Sequence, residues 1–361
     1  MSKGKITILG GGNGAHAAAV DFTKQGFEVC IYEEARFASN MESVFKTKQI
    51  SYTGALGEGV VDVSMVTSNM AEAIRGAKFI LVAVPAYVHA HYATAIPSHL
   101  ENGQIVLVFA ATFGSLIFWK EMKKQCPQKD LVVAETYTLP YATRLAGPGK
   151  SVIMGLTNPI MTGVMPAKRT AETIAALKAI YPVEAAQSVI DCGLYSMNPV
   201  VHAPGCILNA GRIELMQGEF WFYKEGITPA VGRATEELDA ERMAIIRALG
   251  YTPKSVLESL RAMGSKGKNI FEAITTTEEF VRIKGPDSFK NRYYAEDIPY
   301  GLVPWAYVAR LVGVKTPIMD ALITLANSLL EQDCWKKGRQ LEDLGIAGMN
   351  KETLLAYLQN G

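Results

Sequence analysis

Lys5-Ile6-Thr7-Ile8-Leu9-Gly10-Gly11-Gly12-Asn13-Gly14-Ala15-His16 joins a short β-rich run to a glycine turn and then to an alanine-rich helical start. Gly10, Gly12 and Ala15 spell G-x-G-x-x-A. In that pattern Gly10 permits the tight turn, Gly12 lets backbone approach a pyrophosphate without a Cβ in the way, and Ala15 keeps helix and strand close. N–H groups of the first helical turn, with Asn13 and Gly14 in it, would face the phosphates. A second β-rich run ends in Ile31-Tyr32-Glu33, about 20 residues past the glycines, where an acid hydrogen-bonds an adenosine ribose. Glycine clusters by themselves make ordinary turns. The order strand, glycines, helix, strand, acid reads as a dinucleotide site. Glu33 would repel a 2′-phosphate, which favours NAD, and Arg36 is near enough to keep NADP possible.

Outward from this unit, short β-rich runs alternate with helical patterns, as repeated βαβ units on a doubly wound parallel sheet require. The strand candidates are 5–10, 28–33, 63–68, 78–85, 104–110 and 131–136. Runs 79–84 and 105–110 are apolar at both alternating sets of positions, the composition of strands covered on both faces. Further strands are expected at 151–156, 163–166 and 183–190, a helix at 167–180, and a glycine-rich loop at 50–60. Loops after two strands fall where such a sheet places its cofactor: Val84-Pro85-Ala86, and the segment holding Thr112.

Past about residue 190 long helical patterns take over. The reading is α/β: a Rossmann domain over 1–187 and an all-α catalytic domain over 188–361. Three helix starts, Thr228-Pro229, Thr252-Pro253 and Thr316-Pro317, combine an N-cap threonine with proline at the first helical position. With 36 Lys+Arg against 35 Asp+Glu, the balance suggests neither a nucleic-acid surface nor a polybasic membrane anchor. The 5 cysteines are scattered, with no C-x-x-C pair, which argues against a disulfide framework and a zinc site; no metal is expected. No apolar run is long enough to cross a bilayer, and the expected location is cytoplasmic.

Hydride transfer needs an acid/base for the accompanying proton and a cation for substrate carboxylates. Of the 5 histidines, His16, His89, His91 and His99 fall in the first half and only His202 in the second. Asn198, His202 and Asn209 share one helical face among apolar neighbours, although Pro204 should kink that helix. A histidine satisfied in the core is the competing reading. The second polar cluster, Asn291-Arg292-Tyr293-Tyr294-Ala295-Glu296-Asp297-Ile298-Pro299-Tyr300-Gly301, carries an aspartate, Asp297, that reads equally as a cap or turn residue or as the partner fixing a histidine's tautomer. Arg292 could clamp a carboxylate.

These residues resemble the opine dehydrogenases of the octopine/nopaline type. The resemblance spans essentially the whole chain and rests on Gly10–His16, Val84-Pro85-Ala86, 198–214, 223–231, 238–242, 291–303 and 316–321. It implies NAD(P)H-dependent reductive condensation of a 2-oxo acid such as pyruvate with the amino group of an L-amino acid, through an imine. By motif position it implies His202 as acid/base, Asp297 as its partner, Asn198 orienting substrate and Arg292 as carboxylate clamp. It also hints at a homodimer. Two other readings stay open: a ketopantoate-reductase-like or glycerol-3-phosphate-dehydrogenase-like enzyme acting on a simple carbonyl or hydroxyl, and a non-catalytic NAD(H) sensor. The former chemistries lean on a lysine, and Lys224, Lys284 and Lys290 lack a supporting pattern.

Overall fold

The structure, a computed structural model, describes residues 2–361. They form two compact units: one runs to Gly193 and takes in Ala356–Gly361, and the other is Leu194–Leu355.

The first unit carries strands β1 (Lys5–Leu9), β2 (Glu28–Tyr32), β3 (Gln49–Gly54), β4 (Gly59–Asp62), β5 (Met65–Thr67), β6 (Ala77–Val82), β7 (Ile105–Val108), β8 (Val132–Thr136), β9 (Tyr141–Gly147), β10 (Lys150–Leu156), β11 (Ile160–Met165) and β12 (Val183–Ala185). Eight of them build one sheet in the order β12-β11-β8-β7-β6-β1-β2-β5. All neighbours from β8 to β5 run parallel, while β11 meets β8 antiparallel. The chain leaves β1 toward β2 and returns beyond it to β6, so the order reverses between β1 and β6. A doubly wound sheet binds ligands at the carboxyl ends of its strands at such a point. β6 and β7 are apolar for the expected reason. Phe79, Ile80, Leu81 and Val82, and all four residues of β7, are buried.

The parallel sheet is thus present, with two departures from the sequence reading. Residues 50–60 are not a loop: β3 and β4 lie there and form a second sheet, ordered β4-β3-β10-β9. The 151–156 strand, β10, belongs to that sheet, parallel to β3 and antiparallel to β9. Ile50 and Tyr52 point inward with period two, while the flanking glycines mask the pattern locally. The run expected at 183–190 is a three-residue strand followed by the Val189–Leu194 helix.

The second unit is helical. Thr228 caps the Pro229–Ala248 helix by accepting from the Val231 N–H at 3.3 Å. The other two threonine caps do not form. Ser255 starts the Val256–Ala262 helix in a reciprocal box with Glu258. The Pro317–Leu330 helix is capped from afar by Glu241, whose two oxygens accept from Ile318 N (2.7 Å) and Met319 N (2.9 Å). That places a carboxylate on a positive helix end. One turn along from Leu238, buried Arg242 pairs with Asp239 and donates to the carbonyls of Leu194 and Lys254, while Asp239 accepts from Val256 N. A buried ion pair is tolerable only when its remaining hydrogen bonds are filled in this way. Leu238–Arg242 is therefore a staple of the fold. Among the described residues no helix is long and apolar enough to cross a membrane.

Candidate active site

In the first unit the glycine turn does what its residue types allow. Gly10 has φ +112°, and a Cβ there would meet the Ala83 carbonyl oxygen at 2.7 Å and Val84 Cγ1 at 2.8 Å. The loop after β6, with Val84 and Pro85, thus lies directly against the turn after β1. Gly12 is the opposite case: a Cβ would meet nothing within 4 Å, so its surface is open. It precedes the Asn13–Lys24 helix, whose first turn no side chain caps. Uncapped N–H groups beside open space suit a pyrophosphate. Ala15 is fully buried and Gly14 is covered by Leu139. The Asn13 carboxamide oxygen accepts from Leu145 N in β9 at 2.9 Å, which ties the turn to the second sheet. The residues present fit a dinucleotide.

Glu33 is buried, with both oxygens engaged. Oε2 accepts from Gly11 N at 2.6 Å and Oε1 from Glu34 N at 2.8 Å. Burial raises its pKa, and these two bonds oppose the rise. Glu33 therefore locks the glycine turn to the end of β2, with lone pairs left for a ribose hydroxyl. The next residue was not singled out by sequence: Glu34 pairs with Arg36 at 2.6 Å and with His91. His89 turns elsewhere, toward the Val84 carbonyl. On the far side of β6, Thr112 has φ +43° between Ala110 (+50°) and Phe113 (+68°). The loop that holds these left-handed residues is fixed by a fully buried carboxylate that sequence reading passed over. Glu135 accepts from Phe113 N (3.0 Å), Ser115 N (3.1 Å) and Ser115 Oγ. Its one signal was an acid inside an apolar strand.

In the second unit His202 sits on the Asn198–Ile207 helix, which runs on through Pro204. Gly301 lets the later chain close on this helix, since a Cβ there would meet Pro199 Cγ at 2.6 Å. The contact brings Asp297, 95 residues on, to the imidazole: Nδ1 donates to Oδ2 at 2.7 Å. Asp297 stands at the start of a π-helical turn, Ile298–Leu302, and its carboxylate does not cap it. Of the two readings left open for Asp297, the geometry realises the histidine partner. On the other side Nε2 faces Tyr223 Oη at 2.8 Å, and the Tyr223 residue belongs to a second π turn, Phe222–Gly226. π turns concentrate at functional sites. Tyr293 stacks on the imidazole with ring centroids 3.7 Å apart, and Phe222 meets it edge-on.

His202 is 3% exposed. Burial lowers its pKa below the ordinary 6.5, Asp297 opposes the drop, and the Arg292 charge adds to it. The imidazole is thereby neutral at pH 7 and its tautomer is set by Asp297. Arg292 is exposed, reaches Glu296 at 3.9 Å and lies over the Tyr293 ring that stacks on His202. Asn198, one helical turn before His202, is half-buried and makes no side-chain hydrogen bond among the described residues. Asn209 does not join the polar stripe. It donates to the carbonyls of Gly205 and Gly226 and anchors the Tyr223 turn. Tyr223 was legible only as part of a motif, because nothing local shows that its hydroxyl meets residue 202. Among the described residues no group of three or more His, Cys, Asp or Glu is placed to hold a metal.

Comparison with known proteins places these geometries. Residues 185–330 match the family described as NAD/NADP octopine/nopaline dehydrogenase, alpha-helical domain, and residues 5–112 match NADP oxidoreductase coenzyme F420-dependent. The chain is 30% identical over 344 residues to an opine dehydrogenase of Arthrobacter sp. (strain 1C), covering 95% of each. It is 25% identical to a vitopine synthase of Allorhizobium ampelinum, covering 96% of each. A solved octopine dehydrogenase in complex with NADH and agmatine shares the fold, with a TM-score of 0.77 at 20% identity and 97% coverage of both chains. With its glycine turn, its helical unit and a relative this similar along nearly its whole length, the chain belongs to the opine dehydrogenase family.

Proposed function

We propose that the protein is an NAD(P)H-dependent opine dehydrogenase that condenses a 2-oxo acid such as pyruvate with the amino group of an L-amino acid and reduces the resulting imine. The observation that carries this is the enclosed His202, held between Asp297 and Tyr223 in a helical unit of this family. A sensor has no use for a buried acid/base pair. The solved octopine dehydrogenases with NADH and pyruvate, and with NADH and L-arginine, hold the two substrate classes this reaction joins.

The chemistry asks for proton traffic twice. The substrate ammonium must shed a proton before nitrogen attacks the carbonyl, and the carbinolamine hydroxyl must gain one to leave as water. Neutral His202 accepts the first proton and returns it for the second. Asp297 stabilises the imidazolium that exists between the two events. Asn198 orients substrate, and Arg292 clamps a carboxylate. Gly10, Gly12, Asn13, Gly14, Ala15, Glu33, Val84, Pro85 and Thr112 would hold NAD(P)H, which supplies hydride when bound. In this reading residues 1–187 serve the nucleotide and 188–361 the substrates.

The test is NADH consumption with pyruvate alone, with amino acids alone, and with both. Consumption that needs both supports the reading. Consumption with the oxo acid alone replaces it with simple carbonyl reduction, as in the ketopantoate reductases, and none at all refutes it. We infer also a cytoplasmic homodimer. The five cysteines are free and buried, as a reducing compartment allows, and Leu208, Leu215 and Met216 expose apolar surface around the Ala210–Met216 helix. Light scattering on Leu215→Glu against the parent checks the pairing.

A further inference from the structure

The His202 ring has no open edge. Nδ1 is bonded to Asp297 Oδ2 at 2.7 Å and Nε2 to Tyr223 Oη at 2.8 Å. An imidazole nitrogen makes one in-plane hydrogen bond, so both are spent. Tyr293 covers a face at 3.7 Å, and the residue is 3% exposed. A substrate atom reaches Nε2 only if the phenol leaves, and the phenol is fixed. The end of its π turn is tied by Asn209 to the Gly226 carbonyl (2.9 Å), and by Arg212 to the Glu225 carbonyl (3.1 Å) and carboxylate (2.7 Å). Its ring packs against Phe222 and Phe280, its hydroxyl also shares a hydrogen bond with the Tyr293 hydroxyl, which leaves one lone pair for a further partner, and Phe222 fills the space that Gly205 leaves open. Nothing in this arrangement resembles a side chain poised to swing away.

We propose that Tyr223 is a further catalytic residue: its hydroxyl meets the substrate and relays protons between the substrate and His202. The proposal rests on the reductive-condensation reading of the site. On uptake, the Tyr223 O–H proton passes to the His202 Nε2 lone pair while the phenol oxygen takes a proton from the substrate ammonium. On return, Nε2–H passes its proton to the phenol oxygen while the phenol proton goes to the departing carbinolamine oxygen, whose C–O bond breaks to release water. Each event moves two protons by one bond. Nothing is oxidised or reduced, and Tyr223 is neutral before and after. Burial pushes the Tyr223 phenol well above its ordinary range, so it does not stand as a phenolate between events, and the two transfers are concerted.

Tyr223→Phe keeps the packing and removes the relay. The expected result is a fall in kcat of about 10²–10⁴, the usual worth of a positioned acid/base, with NADH fluorescence quenching unchanged. In mixtures of light and heavy water, kcat of the parent should follow a bowed proton inventory, as two protons in flight require, and that of the variant a straight one. Fluorotyrosine at 223, which alters acidity without altering fold, should change kcat in step with its acidity. A Tyr223→Phe enzyme as fast as the parent, or faster, would mean the phenol is only a plug, and a straight inventory in the parent would equally overturn the relay. The His202 nitrogen resonances decide independently of turnover: an Nε2 signal that ignores Tyr223→Phe shows no bond to relay through, even if the condensation reading itself fails on the substrate panel.

Discussion

Asp297→Asn keeps the shape of the side chain against His202 and deletes its charge. The carboxylate oxygen lies 2.7 Å from Nδ1, and the aspartate side chain is 12% exposed, so solvent screens the pair weakly. For charge centres about 4 Å apart in an effective dielectric of about 20, the lost attraction for an imidazolium is about 4 kcal/mol. In the proposed reaction the imidazolium forms during turnover rather than in the resting protein, because burial lowers the His202 pKa below its ordinary value. The loss therefore falls on the barrier, and about 4 kcal/mol corresponds to roughly three powers of ten in kcat. The Nδ1–H tautomer also loses its enforcement, since an amide offers a donor as readily as an acceptor. Initial rates of NADH consumption at saturating oxo acid and amino acid read kcat, and fluorescence quenching reads cofactor binding, which should not move. A variant within about tenfold of the parent (about 1.4 kcal/mol) would show that no imidazolium forms beside residue 297.

Glu34→Gln should free Arg36 and His91 for a 2′-phosphate and raise the NADPH/NADH ratio of kcat/KM by about fivefold, the small worth of an exposed pair; an unchanged ratio removes Glu34 from cofactor choice. Glu33→Ala should also raise the NADPH/NADH ratio, but weaken both cofactors, because it releases the Gly11 and Glu34 N–H groups; titration of each cofactor separates the two variants. The His202 pKa is depressed in the fold, so its contribution to stability is intact above the ordinary 6.5 and lost as pH falls from there toward the folded value, where the unfolded chain binds the proton first. Denaturant unfolding between pH 8 and about pH 5 should show that slope, reduced in His202→Asn, and an identical slope in both would exclude the residue. Gly10→Ala forces a side chain onto φ +112° and into the Ala83 carbonyl, and should cost about 1–3 kcal/mol of stability as well as NADH affinity, read by thermal unfolding and quenching.

The parts that sequence reading recovered are those coded by short-range order. The glycine turn and the doubly apolar strands β6 and β7 depend on neighbours within a few residues, and so does the Thr228 cap. Their steric and burial requirements leave a local imprint. Glu33 was legible as the acid after β2, though not as the clasp that holds Gly11. His202 stood out because it is the sole histidine of the helical half.

What escaped depends on contacts between distant positions. β3 pairs with β10, and Ser51 Oγ reaches the Gly149 carbonyl 98 positions on, so although 151–156 read as a strand, its pairing into a second sheet has no signature in either segment alone. Glu241 caps a helix that starts 76 positions later, where the local Thr316-Pro317 signal predicted a self-contained start. Asp297 read equally as a turn residue or a partner until the close approach at Gly301 carried its carboxylate onto Nδ1, and Tyr223 came to Nε2 from a π turn anchored by Asn209. Local propensity chooses elements, because it acts through sterics along the chain. The His202–Asp297–Tyr223 cluster arises from packing between elements, where burial and the filling of hydrogen bonds select one arrangement from the many that the same residues could make.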